Sequence, residues 1–263
     1  MAAGLLGALT GLGGGAIVVP LLTLGFKVDI HYAIGASLVS VIATSSGAAA
    51  AFVREGFSNI RIAMFLEMAT TLGAIVGAFI AAYLAPSIIA VIFGCVLLYT
   101  AFSAIVEPKI PYHAKQSKLA MHLRMNGQYP TAEGPQHYKV FNLAGGFSLM
   151  GLAGILSGLL GIGSGVVKVI AMDKVMKIPF KVSTATSNFM IGVTAAASTG
   201  IYLHRGYIDP AIAMPVMLGA LAGAIVGARY MVKAKVKLLR YVFSSIILFL
   251  AVQMIYNGIM HKI

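Results

Sequence analysis

Charge is what this sequence has least of. Asp, Glu, Lys and Arg make up 10% of its 263 residues, where soluble domains of this size carry about 25%. That scarcity excludes an ordinary water-soluble fold. Apolar runs such as Ile60–Phe79 and Pro86–Val106 recur along nearly the whole chain, and each approaches the roughly 20 residues that cross a bilayer core. The chain reads as an all-α polytopic membrane protein, embedded in the lipid bilayer of the cell (cytoplasmic) membrane.

Cysteine is nearly absent. The single Cys95 excludes a disulfide framework and a cysteine-based zinc site. Acidic residues are few, seven against nineteen Lys and Arg, for a net charge of +12. Such an excess suits nucleic acid in principle, but basic residues collecting in cytoplasmic loops are the simpler cause in a membrane chain, so no nucleic-acid partner is expected. The opening MAAGLLGALT lacks the basic region and cleavage site of a signal peptide.

Catalytic motifs are missing as well. No GKS or GKT follows a glycine loop, and GIGSG at 161–165 lacks the strand–turn–helix unit and acidic partner of a dinucleotide site. It is not a G-x-S-x-G elbow either, since residue 162 is Ile. His113, His122 and His137 have no metal-ligand spacing. No catalytic residue, metal or cofactor is expected, and the chain does not read as an enzyme.

What is present is glycine in the wrong place for a helix. GLGGGAIVVP at 11–20 and GIGSGVVKVI at 161–170 interrupt apolar stretches, although glycine costs about 1 kcal/mol in a helix interior. Sliding the sequence by 150 lays residues 4–79 over 154–229 without a gap, with twenty of 76 positions identical. The matches include Lys27/Lys177, Ser37/Ser187, Thr44/Thr194 and the whole of GAIVGA at 73–78 and 223–228. Internal repeats of this kind are a common way to build transporters.

Charge decides the relative orientation of the halves. YLAPS at 83–87 has no Lys or Arg, whereas its counterpart RYMVKAKVKLLR at 229–240 has five. Equivalent loops of opposite charge character belong on opposite sides of the membrane. Inversion needs an odd number of crossings per half, and each half shows four apolar segments. If each first segment enters, breaks at its glycines and leaves on the same side, three crossings remain. The expected fold is therefore two inverted-topology repeats, each a re-entrant broken segment plus three transmembrane helices.

We expect broken segments over about 4–25 and 141–175. Helices are expected near 31–53, 60–83 and 86–106, then near 181–203, 208–229 and 238–258. The first transmembrane repeat is then 1–106 and the second 140–263, joined by a polar, basic cytoplasmic connector at 107–139.

A broken helix inside a membrane frees backbone groups, which is tolerable only against protein or a water-filled cavity. Exposed helix N-termini suit an anion. Gly13, Gly14 and Gly15, with Gly163, Ser164 and Gly165, are the first candidate site; close helix packing through small residues is the alternative. Lys168 follows by three residues, where the first half has Val18. Its cation either meets an anionic substrate or snorkels to the interface. Ser37 and Thr44 share one helix face, and Ser187 and Thr194 repeat it beside Asn188. Their polar groups can replace an oxyanion's hydration or bond back to helix carbonyls. Glu67, opposite Met217 in the repeat, is a candidate proton carrier or the partner of a basic residue.

The runs GLGGGAIVVPLL at 11–22 and AIGASL at 33–38, with their degenerate copies GIGSGVVKV and STATSN, make the chain similar to the TauE/SafE family of sulfite exporters. The resemblance covers nearly everything except the connector. It implies a membrane transporter for sulfite, a sulfonate or a related small sulfur anion. Ile170 replaces Pro20 and Ser164 replaces Gly14 in the second half, so the halves contribute unequally. The expected function is a secondary transporter exporting a small sulfur oxyanion by alternating access. An inside-negative potential drives anions outward by about 2.3 kcal/mol per charge per 100 mV. An anion channel of the same substrate class, and a membrane-embedded enzyme acting on a sulfur compound, are the alternatives. Nothing in the sequence fixes the oligomeric state.

Overall fold

The 150-residue repeat of the sequence is also a repeat of helices. In the computed structural model, which describes residues 4–5, 14–54, 56–105, 117–131, 134–231 and 236–260, the first half contains α1 (Gly15–Pro20), α2 (Ile30–Arg54), α3 (Ile60–Ala81) and α4 (Pro86–Ile105). The connector forms α5 (Lys118–His122) and a hairpin of β1 (Gly127–Thr131) and β2 (Gly134–Tyr138). The second half contains α6 (Leu143–Leu160), α7 (Gly165–Ile170), α8 (Phe180–His204), α9 (Pro210–Met231) and α10 (Val236–Ile259). The starts of α1, α2, α3 and α4 recur at +150 in α7, α8, α9 and α10. Both α1 and α7 run on into one wide π turn, Leu21–Gly25 and Ala171–Val175.

Small signatures repeat too. Lys27 and Lys177, directly after the two π turns, both take a left-handed backbone, φ 53° and 57°. Val28 N–H donates to Leu22 O, and Ile178 N–H to Met172 O. The identical pair Lys27/Lys177 therefore marks a local geometry that its non-identical neighbours share.

Helices α3, α4 and α6, and the Ile30–Gly47 stretch of α2, are long and apolar enough to cross a membrane. On α3, Met64, Met68, Leu72, Ile75 and Phe79 form an exposed apolar stripe. The opposite face, with Ile62, Leu66, Glu67, Thr70, Gly73 and Gly77, is buried. That division suits a helix with lipid on one side and protein on the other, so Glu67 faces inward.

In lipid, helix association depends on close backbone approach more than on apolar burial. Here α3 lies on α6, and a Cβ built at Gly73, Gly77, Gly154 or Gly158 would strike backbone of the facing helix. Positions 70, 74 and 77 of α3 meet 154, 158 and 155 of α6, so the two helices run in the same direction. The repeat reproduces this contact with the halves exchanged: Gly4 abuts Ala220 as Gly154 abuts Thr70. Gly4 thus packs on α9 as α6 packs on the equivalent helix α3. Helices α4 and α10 are equivalents and neighbours. Gly94 meets Ala251 and Ile255, while Gly258 meets Ser87 and Val91, so this pair is antiparallel.

The second broken segment folds back on itself. Phe141 N–H, just before α6, donates to Met176 O, just after the π turn, at 3.0 Å. Its first arm, α6, has 18 residues, about 27 Å at 1.5 Å per residue and longer than a half-crossing needs. Most of the counterpart in the first half, 6–13, lies outside the described residues.

The described part of the connector, 117–131 and 134–139, is more ordered than its composition suggests. Asn59, which caps α3, donates from Nδ2 to Met125 O and Tyr138 Oη, and its N–H bonds Thr186 Oγ1. Ala120, Met125, Tyr138 and Val140 join a buried cluster with Ile62, Leu143, Met172 and Met176. The hairpin end of the molecule is thereby tied to the starts of both α3 and α8.

Candidate functional site

The site begins where the second apolar segment stops being a helix. Gly161 caps α6 in the left-handed region, φ 66°, its N–H on Ser157 O. Gly163 has φ 75° and Ser164 φ 45°. Three left-handed residues in four end one helix and start another. Ser164 is the costly member, because its Cβ opposes this conformation, whereas Gly14 holds the equivalent place in the first half at φ 73°. Ser164 is buried, and its Oγ has no hydrogen-bond partner among the described residues.

One turn further, Lys168 is fully buried, with 0% of its surface exposed. Its ammonium does not reach an interface. Nζ donates to Thr194 Oγ1 on α8 at 2.5 Å. The Thr194 hydroxyl proton faces Glu67 Oε1 on α3 at 2.6 Å and Met190 O at 2.9 Å, the shorter and charge-assisted contact being the stronger. Thr71, one turn after Glu67, donates to the same Oε1 at 3.3 Å. Oε2 of Glu67 is buried and has no partner among the described residues. An ammonium and a carboxylate are thus linked through one hydroxyl, in a place where either alone would be costly.

Such a site, within a bundle carrying an apolar outer stripe, suits handling of a small charged solute. Comparison with known proteins agrees on the general class. The family model for the sulfite exporter TauE/SafE matches residues 1–254. The chain belongs to this family. Among its relatives are the probable membrane transporter proteins YunE and YdhB of Bacillus subtilis (strain 168). YunE is 26% identical over 98% of this chain and 95% of its own length; YdhB is 26% identical over 84% and 82%. A probable membrane transporter protein of Xylella fastidiosa (strain 9a5c) is 26% identical over 97% of this chain and 93% of its own. No solved structure matches at a significant level. The protein is a membrane transporter of the TauE/SafE family.

The other candidate residues of this TauE/SafE chain fall into two groups. Ser37 and Ser187 brace the breaks: Ser37 Oγ donates to Gly161 O at 2.8 Å across the halves, and Ser187 Oγ to Gly165 O at 3.3 Å. Gly15 sits against the same Gly161 carbonyl and Ser37 hydroxyl; a Cβ there would lie 2.7 and 2.8 Å from them. Thr44 donates to Val41 O within its own helix, and Asn188 Nδ2 to Thr184 O. Gly13 lies outside the described residues. The equivalents Val18 and Lys168 differ in charge, as do Met217 and Glu67. The charged relay exists once, not twice.

Two participants escape a sequence reading. Thr71 has a signal, its i+4 spacing from Glu67. The carbonyl of Gly161 has none, since every residue carries one. Beyond the relay, Ser198 lies one turn from Thr194 and donates to its carbonyl. A cavity of about 460 Å³ at that end of α8 is lined by Phe79, Gly200, Ile201, His204 and Arg205.

Proposed function

We propose that this transporter exports a small sulfur oxyanion, sulfite or an organosulfonate, across the cell membrane by alternating access between two inverted repeats. The observation that carries the reading is Lys168: a wholly buried ammonium, one turn from a Ser164 hydroxyl without a partner among the described residues, beside the glycine break of the second half. A buried cation without a permanent direct carboxylate contact is suited to a transient anionic partner. Ser164, Gly163, Gly165 and Lys168 form the anion's primary contacts in this reading. Gly14, Gly15, Ser37, Ser187, Asn188, Thr44 and Thr194 shape the surrounding wall, and Glu67 carries a coupling proton.

Several features support inversion. Equivalent helices α4 and α10 run antiparallel, as a two-fold axis in the membrane plane requires. The ends of the second broken segment meet at Phe141 and Met176, as a re-entrant hairpin demands. Arg61, Arg124 and Lys139 belong to the hairpin end, where Arg61 Nη1 donates to Arg124 O, in keeping with a cytoplasmic face. The cavity between Phe79 and Arg205 then opens at the outer face, a short way along α8 from Thr194.

Reconstituted protein tests the proposal. Vesicles loaded with sulfite or methanesulfonate should show saturable flux, accelerated by the same anion on the opposite side. Large unitary currents without counter-flow stimulation would instead indicate a channel, and chemically altered solute an enzyme.

A further inference from the structure

The relay contains its own substitute for the transported anion. If the site binds an anion at Lys168, as proposed above, then in the empty site Glu67 supplies the negative charge, delivered through Thr194 Oγ1. Loading creates a conflict, because two anions cannot share one ammonium in a desolvated pocket. Glu67 has one oxygen available to resolve it. Oε1 already accepts from Thr194 and Thr71, while Oε2 is buried without a partner among the described residues. We infer that a proton binds Glu67 Oε2 as the anion binds Lys168, so that one proton travels with each monovalent anion.

The balance is simple. A proton from water forms an O–H bond at Oε2, and the carboxylate becomes a neutral acid. The Thr194 bridge loses its charged acceptor, and the Lys168 N–H groups turn to the anion's oxygens. The pocket has zero net charge when empty (Glu67 negative, Lys168 positive) and again when loaded (Lys168 positive, anion negative). A site that is neutral in both states avoids burying net charge during either transit. Flux of a monovalent anion then follows the pH difference and the anion's own concentration gradient rather than the potential, so export runs down the gradient of an anion accumulated inside the cell.

No other titratable group competes for this role among the described residues packed around α3. Helix α6 has none along its length. Helix α8 brings Lys181 near one end and Tyr202 and His204 near the other, each at least eight residues from Thr194, or about 12 Å of helix. Tyr202 Oη is committed to Gly158 O. Asp173 and Lys174 lie in the π turn beyond α7. Arg61 on α3 faces the connector at Arg124 O, and Tyr138 holds Asn59 at the start of α3.

Methanesulfonate, which does not titrate near neutrality, is the probe. Purified wild-type protein should bind it more tightly as pH falls from 8 to 6, by up to about tenfold per pH unit for one linked proton. In weakly buffered solution each binding event should remove close to one proton from the medium. Glu67→Gln should bind more tightly than wild type at pH 8 and show no slope, and Lys168→Met should not bind. A Glu67→Gln variant that keeps the wild-type slope, or wild-type binding without proton uptake, overturns the inference alone. Lys168→Met binding as well as wild type overturns the proposed site beneath it. The proton-uptake measurement needs no variant, so it decides the matter even if Glu67→Gln fails to fold.

Discussion

Lys168 and Glu67 belong to opposite halves of the chain and are joined by one hydroxyl, that of Thr194. Neither has a counterpart in the repeat, where Val18 and Met217 stand. The scaffold occurs twice, and each member of the charged pair stands in one copy of its element only. The pairing has consequences for stability that can be separated from transport.

Removing one charge strands the other. Lys168→Met leaves the Glu67 carboxylate buried without its compensating cation, at a cost of about 3–5 kcal/mol. Adding Glu67→Gln should restore most of that loss. Thermal unfolding of the purified single and double variants checks this; a double variant no more stable than Lys168→Met contradicts the electrostatic link.

The contact between the two breaks is steric as well as polar. Gly15→Ala places a methyl group 2.7 Å from Gly161 O and should cost about 1–3 kcal/mol, as overpacking does. Gly25→Ala is the control, because nothing lies within 4 Å of the added carbon. Its effect should stay within about 0.5 kcal/mol. Equal unfolding midpoints for the two variants would remove the significance of the Gly15 contact.

Ser37→Ala should lower stability by about 1 kcal/mol, the ordinary net worth of a hydrogen bond, since Ser37 supplies Gly161 O with a donor from the other half. Because Ser37 braces the break without touching the proposed anion position, affinity for methanesulfonate should change less than twofold. A tenfold loss of affinity at unchanged stability would place Ser37 in the binding site proper.

Much of the architecture is legible in the sequence. The +150 register anticipates the helix starts in both halves because hydropathy and glycine placement are local signals, repeated at equal spacing. The Lys27/Lys177 match marks a left-handed residue after each π turn, a constraint that composition leaves unexplained. The connector reads as a loop because GQYPT and GPQHY carry proline and lack apolar alternation, yet Asn59, Met125 and Tyr138 hold the hairpin down. The relay is legible only as separate candidates. Helical spacing tells which residues share a face with Glu67 or Thr194, but not that α3, α7 and α8 bring those faces together.

The orientation of the halves has its own test at two identical residues. Lys27 and Lys177 are equivalent in the repeat, and Lys27 is exposed while Lys177 is half-buried. On intact cells, with Cys95→Ser as background, a membrane-impermeant maleimide should label Lys27→Cys. Lys177→Cys should react only after the membrane is opened. Labelling of both from the same side contradicts inversion.

Export through this site requires a negatively charged solute between Ser164 and Lys168. Selenite is the heavier analogue of sulfite, and its anomalous scattering locates it directly in crystals soaked at a concentration shown to saturate binding in solution. One strong peak is expected within hydrogen-bond reach of both Ser164 Oγ and Lys168 Nζ. A saturated protein whose selenite lies elsewhere, with the Lys168–Thr194–Glu67 contacts undisturbed, would contradict it.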